Sequence, residues 1–176
     1  MAITITPAAA SGAGYGAVQT DYALKHDLGR WGAHYDYSAN TCRSKVNDRA
    51  AVIVFGQPLS PDGDGKVRTY TKANGFAGFA VVSDTFVPAT RSITIGSTTA
   101  DRPGYAEGYV VNVLEEGTIW VYTSTIVTAG SKVALLDAGA DTVCASGTAS
   151  STDISAYFLR DAAANSLVPI QLKSIA

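Results

Sequence analysis

From residue 49 to the C-terminus, short apolar runs alternate with turn residues along the chain. The runs are four to ten residues long and rich in β-branched and aromatic side chains, a composition typical of strands. Gly, Asn and Asp separate them at intervals of about 8 to 12 residues, which is the spacing of a β-sandwich or barrel. The predicted strands are residues 50–55, 66–71, 76–82, 108–114, 118–127, 132–136, 142–145, 156–159 and 167–172.

Turn signals define the connections between these strands. The two Asp-Gly steps at residues 62–65 predict a tight hairpin turn. Glu116-Gly117 predicts a break between the strands at 108–114 and 118–127. Residues 87–102, with prolines near both ends, read as a loop that contains one strand at 92–95.

The pattern therefore predicts an all-β fold, a compact sandwich or barrel-like domain over residues 49–176. No long segment has the 3.6-residue period of an amphipathic helix. In the run from Ile119 to Thr123 the apolar residues alternate imperfectly, so one face is expected in the core and the other against a second surface. We place Trp120, or its neighbours Ile119 and Val121, at the centre of the core.

Residues 1–48 differ from the rest because they carry no sustained period of either 2 or 3.6. They read as an irregular, extended N-terminal arm that contacts a partner surface or a neighbouring subunit. Aromatic side chains on such a backbone need an external surface to pack on. The candidate contact residues are Tyr15, Tyr22, Trp31, Tyr35 and Tyr37. The alternative, of about equal weight, is a short helix at residues 21–26 folded back on the main domain.

The composition narrows the partners. Only 16% of the residues are charged and 47% are apolar, a balance suited to a protein that covers much of its surface with partners. Thirteen basic and fifteen acidic residues give a net charge of -2 without a basic cluster, which argues against nucleic-acid binding. The longest apolar run, residues 50–55, is far short of a membrane span. The N-terminus lacks a secretory signal, so we expect synthesis in a cytoplasm.

Candidate chemical residues do not assemble into a site. His26 and His34 lie eight positions apart, which does not match metal-ligand spacing on one helical face. Cys42 and Cys144 are 102 positions apart and form neither a metal knuckle nor a disulfide framework, so two free thiols are expected. No serine lies in a Gly-x-Ser-x-Gly elbow, and no histidine follows His34 to act as a base. The sequence predicts no catalytic residue, cofactor or metal.

Five segments in the second part of the chain carry a family resemblance. They are FAGFAVVSDT from Phe76, YAEGYVVNV from Tyr105, GTIWV from Gly117, VTAGSKV from Val127 and LVPIQL from Leu167. In this order and spacing they resemble the capsid decoration, or cement, proteins of tailed bacteriophages. The similarity covers residues 49 to 176. Ser131 departs from the pattern, since such proteins often carry an acidic residue after this glycine, and the subfamily is therefore open.

The resemblance implies a non-enzymatic virion protein that binds the outer surface of the major capsid shell and stabilises it against internal DNA pressure. It also implies the major capsid protein as partner and a homo-oligomer, most plausibly a trimer, with no nucleic-acid or membrane partner. An alternative function is a virion-displayed module that binds a host surface or a carbohydrate through exposed Tyr and Trp. A small β-fold hydrolase is a third, weaker reading, because a base is missing from the β domain.

Overall fold

The structure of the protein is a computed structural model that describes residues 32–35, 40–82, 89–138 and 141–173. Within these ranges the chain forms twelve β-strands and one short 3₁₀ turn, Lys72–Asn74, so the all-β prediction is confirmed. The strands are β1 Thr41–Asn47, β2 Ile53–Val54, β3 Pro58–Pro61, β4 Lys66–Thr69, β5 Gly78–Ala80, β6 Ala89–Ile95, β7 Thr98–Tyr105, β8 Val110–Thr123, β9 Lys132–Leu136, β10 Val143–Ala145, β11 Ser151–Phe158 and β12 Ser166–Leu172. No helix in the described part is long and apolar enough to cross a membrane.

Nine of the strands form two closed rings that share the long strand β8. In ring 1 the order is β1, β4, β3, β5 and β8, and β8 pairs back onto β1. In ring 2 the order is β8, β10, β9, β11 and β12, and β12 pairs back onto β8. Closing a sheet onto itself removes the exposed edges that would otherwise pair with other chains. The barrel-like expectation is therefore met by two small barrels.

Strand β8 passes from ring 1 to ring 2 at Gly117. Glu116 is its last residue paired with β1, and Gly117 is its first residue paired with β12. The backbone at Gly117 has a φ of 128°, which residues with a Cβ rarely adopt. The turn predicted at Glu116-Gly117 is wrong, because this glycine redirects a continuous strand between two sheets.

A third sheet contains β2, β7 and β6, and its β6–β7 hairpin packs on the outside of ring 2. The strand predicted at residues 92–95 lies within β6 and is confirmed, but the loop predicted around it over residues 87–102 is wrong, since the rest of β6 and much of β7 lie there. The prolines near the ends of this segment indicated a loop by local rules, because proline is rare inside strands. Pro103 is tolerated in β7 because it occupies a position where the strand does not need its N–H, opposite Thr90 of β6.

Two large apolar clusters fill the molecule: one lies within ring 1 and against β2 and β7, and a larger one extends from ring 2 onto ring 1. The largest apolar cluster combines ring 2 residues such as Val121, Leu135 and Phe158 with Phe79 and Leu114 of ring 1. All five side chains are less than 2% exposed. Ile119, Trp120 and Val121 are also buried, so the predicted core position of this segment is confirmed. Because the larger cluster packs Phe79 and Leu114 of ring 1 against ring 2, we expect the two rings to unfold together rather than as separate units.

Polar contacts also join the rings. Gln57, in the loop before β3, donates from Nε2 to Asp141 Oδ1 at 2.6 Å, and Arg91 of β6 binds the same carboxylate oxygen. Gln57 is 2% exposed, and its Oε1 also accepts the N–H of Val54, so its amide is bonded at both ends. A second link runs from Lys72 Nζ to Asp137 Oδ2 at 2.9 Å. These contacts fix the orientation of ring 2 relative to ring 1.

The Lys72–Asp137 link makes stability depend on acidity. Hydrogen bonds from Lys72 and Thr152 hold the pKa of the Asp137 carboxyl below its usual value. A carboxyl with a lowered pKa stabilises the fold above its unfolded-state pKa of about 3.9, and the contribution is lost as pH falls through the lower, folded-state pKa. At pH values below about 4 we expect the melting temperature to decrease. In the same range the difference in melting temperature between the wild type and Asp137→Asn should become smaller. Thermal melts from about pH 7 to about pH 2.5 measure this.

Lys72→Met is the matched variant, because it removes the main partner and leaves the carboxyl in place. It should show the same narrowing as Asp137→Asn. If the difference in melting temperature between the wild type and either variant stays constant across the acidic range, the Lys72–Asp137 pair is not the source of the pH dependence.

The position of β1 bears on the predicted division of the chain at residue 48. β1 lies before that division, yet it pairs with β8 along six residues and with β4 at Val46 and Asn47. Residues 32–35 also contact the sheet, as described below. The part of residues 1–48 that precedes residue 32, including the alternative helix at 21–26, lies outside the described residues. Cys42 and Cys144 are both free thiols, in agreement with the sequence expectation.

Candidate interaction surface

Residues 32–35, here called the clasp, bind β8 between its pairings with β5 and β10. The N–H of Gly32 donates to the carbonyl of Trp120 at 2.9 Å, and the N–H of Trp120 donates to the carbonyl of Ala33 at the same distance. The carbonyl of Gly32 also accepts the N–H of Val82 at 2.8 Å. Gly32 has a φ of 80° and fits closely, since a Cβ here would lie 2.6 Å from the backbone nitrogen of Gly56. The clasp thus attaches the chain where the two rings meet.

Side chains reinforce this attachment. The ring of Tyr35 packs edge-on against Trp120, with centroids 5.5 Å apart, and Tyr35 is 8% exposed. His34 Nδ1 lies 3.2 Å from the carbonyl of Thr118. Asn40 Oδ1 accepts the N–H of Thr118 at 2.9 Å. Trp120 Nε1 is buried and has no acceptor within the described part of the chain. Residues 32–34 and Asn40, which precede β1, are therefore hydrogen-bonded to Thr118 and Trp120 of β8.

Of the predicted contact residues, the structure describes only Tyr35, and it places this ring in the packing around Trp120. Tyr15, Tyr22, Trp31 and Tyr37 lie outside the described residues. Trp31 directly precedes the clasp in sequence, and Tyr37 lies between the clasp and β1. Their contact with a shell remains a prediction.

Exposed apolar side chains occur near the two ends of β8. Tyr109 and Val110, at its start in ring 1, are 40% and 56% exposed. Ile126, three residues after its end, is 76% exposed. It borders a depression of 460 Å³ that is lined by Val127, Thr128, Asp161, Ala162 and Ala163. The first spot therefore lies at the ring 1 end of β8 and the second lies beyond its ring 2 end.

Tyr109, Val110 and Ile126 were not among the contact residues predicted from the sequence. The sequence did contain a signal for the exposure of Tyr109 and Val110. They directly follow the turn residues Glu107-Gly108, and an apolar pair next to an exposed turn can itself be exposed. Ile126 gave no such signal, because a single apolar residue after a buried strand cannot be distinguished from its last core position. Only the register of β8 with β12, which ends at Thr123, places Ile126 outside the sheet.

Ring 1 carries a second, charged cleft. It has a volume of 280 Å³ and is lined by Arg43, Lys45, Lys66, Phe76 and Glu115, among others. Arg43 Nε and Glu115 Oε2 are 2.8 Å apart, and the side chain of Arg43 is 66% exposed. Both signs of charge line the cleft, so it does not form the cationic groove that phosphate binding requires. Exposed ion pairs of this kind contribute little stability.

The thiols are not activated for nucleophilic chemistry. Desolvation and the nearby charge of Glu115 raise the pKa of Cys42, and burial raises the pKa of Cys144. The thiolate is the nucleophilic form, and a raised pKa lowers its population at neutral pH. Within the described ranges no group of three or more His, Cys, Asp or Glu residues could hold a metal ion.

Comparison with known proteins identifies a family and structural relatives. The profile of the family described as "Structural cement protein (E217 gp24/Pam3 gp6)" matches residues 18–173. Among solved structures, a chain from "The capsid of Myoviridae Phage XM1" superposes with a TM-score of 0.56 at 17% identity. The superposition covers 89% of this chain and 95% of that chain, and at this identity it shows a common fold. No curated protein matches the sequence.

Proposed function

The chain belongs to the family of phage structural cement proteins, and from this membership we propose that it binds the outer surface of the major capsid shell and stabilises the shell against internal DNA pressure. The family match over residues 18–173 is the observation that carries the proposal. It does not favour the alternative of a host-surface or carbohydrate-binding module. The protein is proposed to act without catalysis, cofactor or metal, and to be made in the host cytoplasm before it joins the virion.

The architecture supports a role as a mechanical link. Two closed rings, joined by a shared strand and by an apolar cluster that extends from ring 2 onto ring 1, form a body whose strands cannot slide apart without breaking ladder hydrogen bonds on both sides. The exposed apolar residues at the two ends of β8, Tyr109 with Val110 and Ile126, supply separate contact points. A body that touches two neighbouring capsid subunits at such points resists their separation. We assign these residues to the shell contact together with the arm.

The arm is proposed to supply much of the binding energy through Tyr15, Tyr22, Trp31 and Tyr37. Interface aromatics bury a large apolar area at low rotamer cost, and truncation of a central one costs about 2 kcal/mol or more. Because the clasp attaches the arm where the rings meet, tension on the arm is transmitted to β8. Association costs translational and side-chain freedom, which limits the affinity that the contacts of a single copy provide.

Repetition on the shell offsets this modest affinity. Attachment as a homo-oligomer, most plausibly a trimer around local threefold positions, multiplies weak contacts into high avidity. Neither nucleic acid nor membrane is a proposed partner. The pairing of Arg43 with Glu115 and of Lys66 with Asp48 at the ring 1 cleft supports the first of these statements.

We predict that an arm variant binds shells less well while its fold is retained. Wild type, Trp31→Ala and a chain without residues 2–31 are added to shells that lack the protein, and bound copies per shell are counted by mass spectrometry. Loss of about 2 kcal/mol corresponds to roughly 30-fold weaker binding for Trp31→Ala. The truncated chain should bind more weakly still, because it loses three candidate aromatics.

The matched control is Tyr157→Ala in β11, an aromatic that is half-buried on ring 2 and assigned to no contact. It should bind like the wild type. If the arm variants also bind like the wild type, the shell contact lies on the β domain, and Ile126→Ser then tests the depression beside it. If the wild type does not bind, the proposed function is wrong.

A further inference from the structure

The outer edge of β6 is an open strand edge. β6 pairs with β7 along all seven of its residues, from Ala89 opposite Gly104 to Ile95 opposite Thr98. No strand in the described part of the chain pairs with its other side. The nine strands of the two rings are closed, so β6 differs from them in carrying, along its length, an edge with which no described strand pairs.

The register identifies which backbone groups face outward. Pro103 lies opposite Thr90, has no N–H, and its carbonyl accepts the N–H of Phe55 on the far side of β7. The Thr90–Pro103 pair is therefore a non-hydrogen-bonded pair of the antiparallel ladder, and such pairs alternate along it. Accordingly, the N–H and carbonyl groups of Thr90, Ser92 and Thr94 point away from β7. Such a row of unpaired groups is a template for another strand.

This edge also lacks the usual protection. Natural edge strands are blocked by lysines, prolines, bulges or inward-pointing charges. β6 reads ATRSITI and runs in unbroken register. Its one charged residue, Arg91, is bound to Asp141. The edge is therefore suited to receive a strand.

The two faces of β6 specify what that strand should look like. Ile93 and Ile95 are buried with Val54 against Tyr122 and Leu167 of ring 2. On the opposite face Thr90, Ser92 and Thr94 are exposed. An added strand therefore needs β-branched apolar residues alternating with small hydroxyl residues.

Residues 2–6 of this chain have that pattern. They read Ala-Ile-Thr-Ile-Thr and are followed by Pro7, which ends a strand. Paired with β6, Ile3 and Ile5 would extend the apolar face, and Thr4 and Thr6 the hydroxyl face. The segment repeats the Ile-Thr-Ile of β6 itself. It precedes the family match, which begins at residue 18, so this feature is separate from what the family shares.

The length of the intervening chain allows the segment to reach a neighbour. The 26 residues from Thr6 to the clasp at Gly32 span up to about 85 Å when extended. A domain of this length has a radius of gyration of about 16 Å, so the segment can cross to an adjacent copy. Pairing with its own β6 would instead close a long loop at an entropic cost.

We propose that residues 2–6 of one copy add as a fourth strand to the free edge of β6 in a neighbouring copy on the shell. This inference rests on the proposed function, because the shell brings the copies side by side. The exchanged strands would link the copies into a continuous layer, and each link would form only after the copies are placed.

Disulfide trapping tests the link. In a Cys42→Ser, Cys144→Ala background, one chain carries Thr4→Cys and a second carries Ser92→Cys. The two chains are mixed, bound to shells lacking the protein, oxidised and run on a non-reducing gel, and bound copies are counted on the same sample. A disulfide-linked dimer is expected in the mixture. Thr90→Cys and Thr94→Cys, each used in place of Ser92→Cys, test the two neighbouring registers. Asp64→Cys, in the exposed β3–β4 turn, is the control and should give no dimer with Thr4→Cys.

Amide exchange on the otherwise native chain gives an independent readout. The β6 peptide should be protected on shells in the wild type and exchange faster in a chain without residues 2–7. Protection in both would identify a strand of the shell as the occupant and overturn the proposal. Normal binding to shells without disulfide-linked dimers would also overturn the proposal. The same holds if a chain carrying both Thr4→Cys and Ser92→Cys forms the disulfide only within itself. If the wild type does not bind shells, the copy count shows it, and the proposed function fails together with this inference.

Discussion

Removal of residues 2–40 should lower the free energy of unfolding by about 5 kcal/mol. Five hydrogen bonds connect the clasp and Asn40 to the rest of the chain: Gly32 to Trp120 and Val82, Ala33 to Trp120, His34 to Thr118, and Asn40 to Thr118. Each is worth about 1 kcal/mol, and buried partners left without an acceptor or donor add to the loss. Trp120, which is 4% exposed, would also lose the ring of Tyr35.

For a chain of this length such a loss lowers the melting temperature by roughly 10 to 20 °C. Thermal melts followed by circular dichroism measure it. The control is the chain without residues 2–31, which keeps the clasp and should melt within a few degrees of the wild type. Equal melting temperatures for the two truncated chains would mean that the clasp does not stabilise the rings.

Replacement of Gly117 by alanine should destabilise the protein by about 3 kcal/mol. Two costs combine. The φ of 128° lies in a region that side chains with a Cβ rarely adopt, at about 1 to 3 kcal/mol. A Cβ here would also lie 1.8 Å from Asn40 Oδ1, so Asn40 would have to move and release the N–H of Thr118. At the point where β8 passes between the rings, this shift affects both.

Chemical denaturation of two comparison variants separates these costs. Gly108→Ala also places alanine at a positive φ, 78°, but its Cβ would meet nothing within 4 Å, and it should cost about 1 kcal/mol. In an Asn40→Ala background, Gly117→Ala should cost at least about 1 kcal/mol less than in the wild type, because the clash with Oδ1 is gone. If Gly117→Ala is no worse than Gly108→Ala, the crossing of β8 does not depend on this glycine.

The sequence predicted three ring 2 strands, β9, β10 and β12, well because their signals are local, whereas only residues 156–158 of β11 fell within a predicted strand. Lys132–Leu136 was predicted with its correct bounds, and the last strand was displaced by a single residue at its start. In both, a run of β-branched and aliphatic residues lies between clear turn residues, so propensity and burial agree. The family resemblance rested on the same segments, and the family match includes them.

Strands whose pairing is long-range were missed or divided. β1 has a polar sequence, TCRSKVN, and is a strand only because β8 and β4 pair with it. β3 carries Pro58 and Pro61, which read as the end of a strand and a turn. At β8 the sequence predicted two strands, because a glycine after two glutamates is a turn signal by local rules.

By itself the sequence determined that the protein is all-β, that the segment around Trp120 is buried, that the hairpin at 62–65 is tight, and that the chain resembles a capsid protein. These follow from side-chain period, propensity and turn chemistry, each of which acts over a few residues. Only the tertiary structure decided that Gly117 continues a strand, that two rings close around β8, that the clasp binds between them and that β6 keeps an open edge. Those features depend on which backbone groups are paired by distant segments, and hydrogen-bond partners far apart in the chain leave no periodic trace in its sequence.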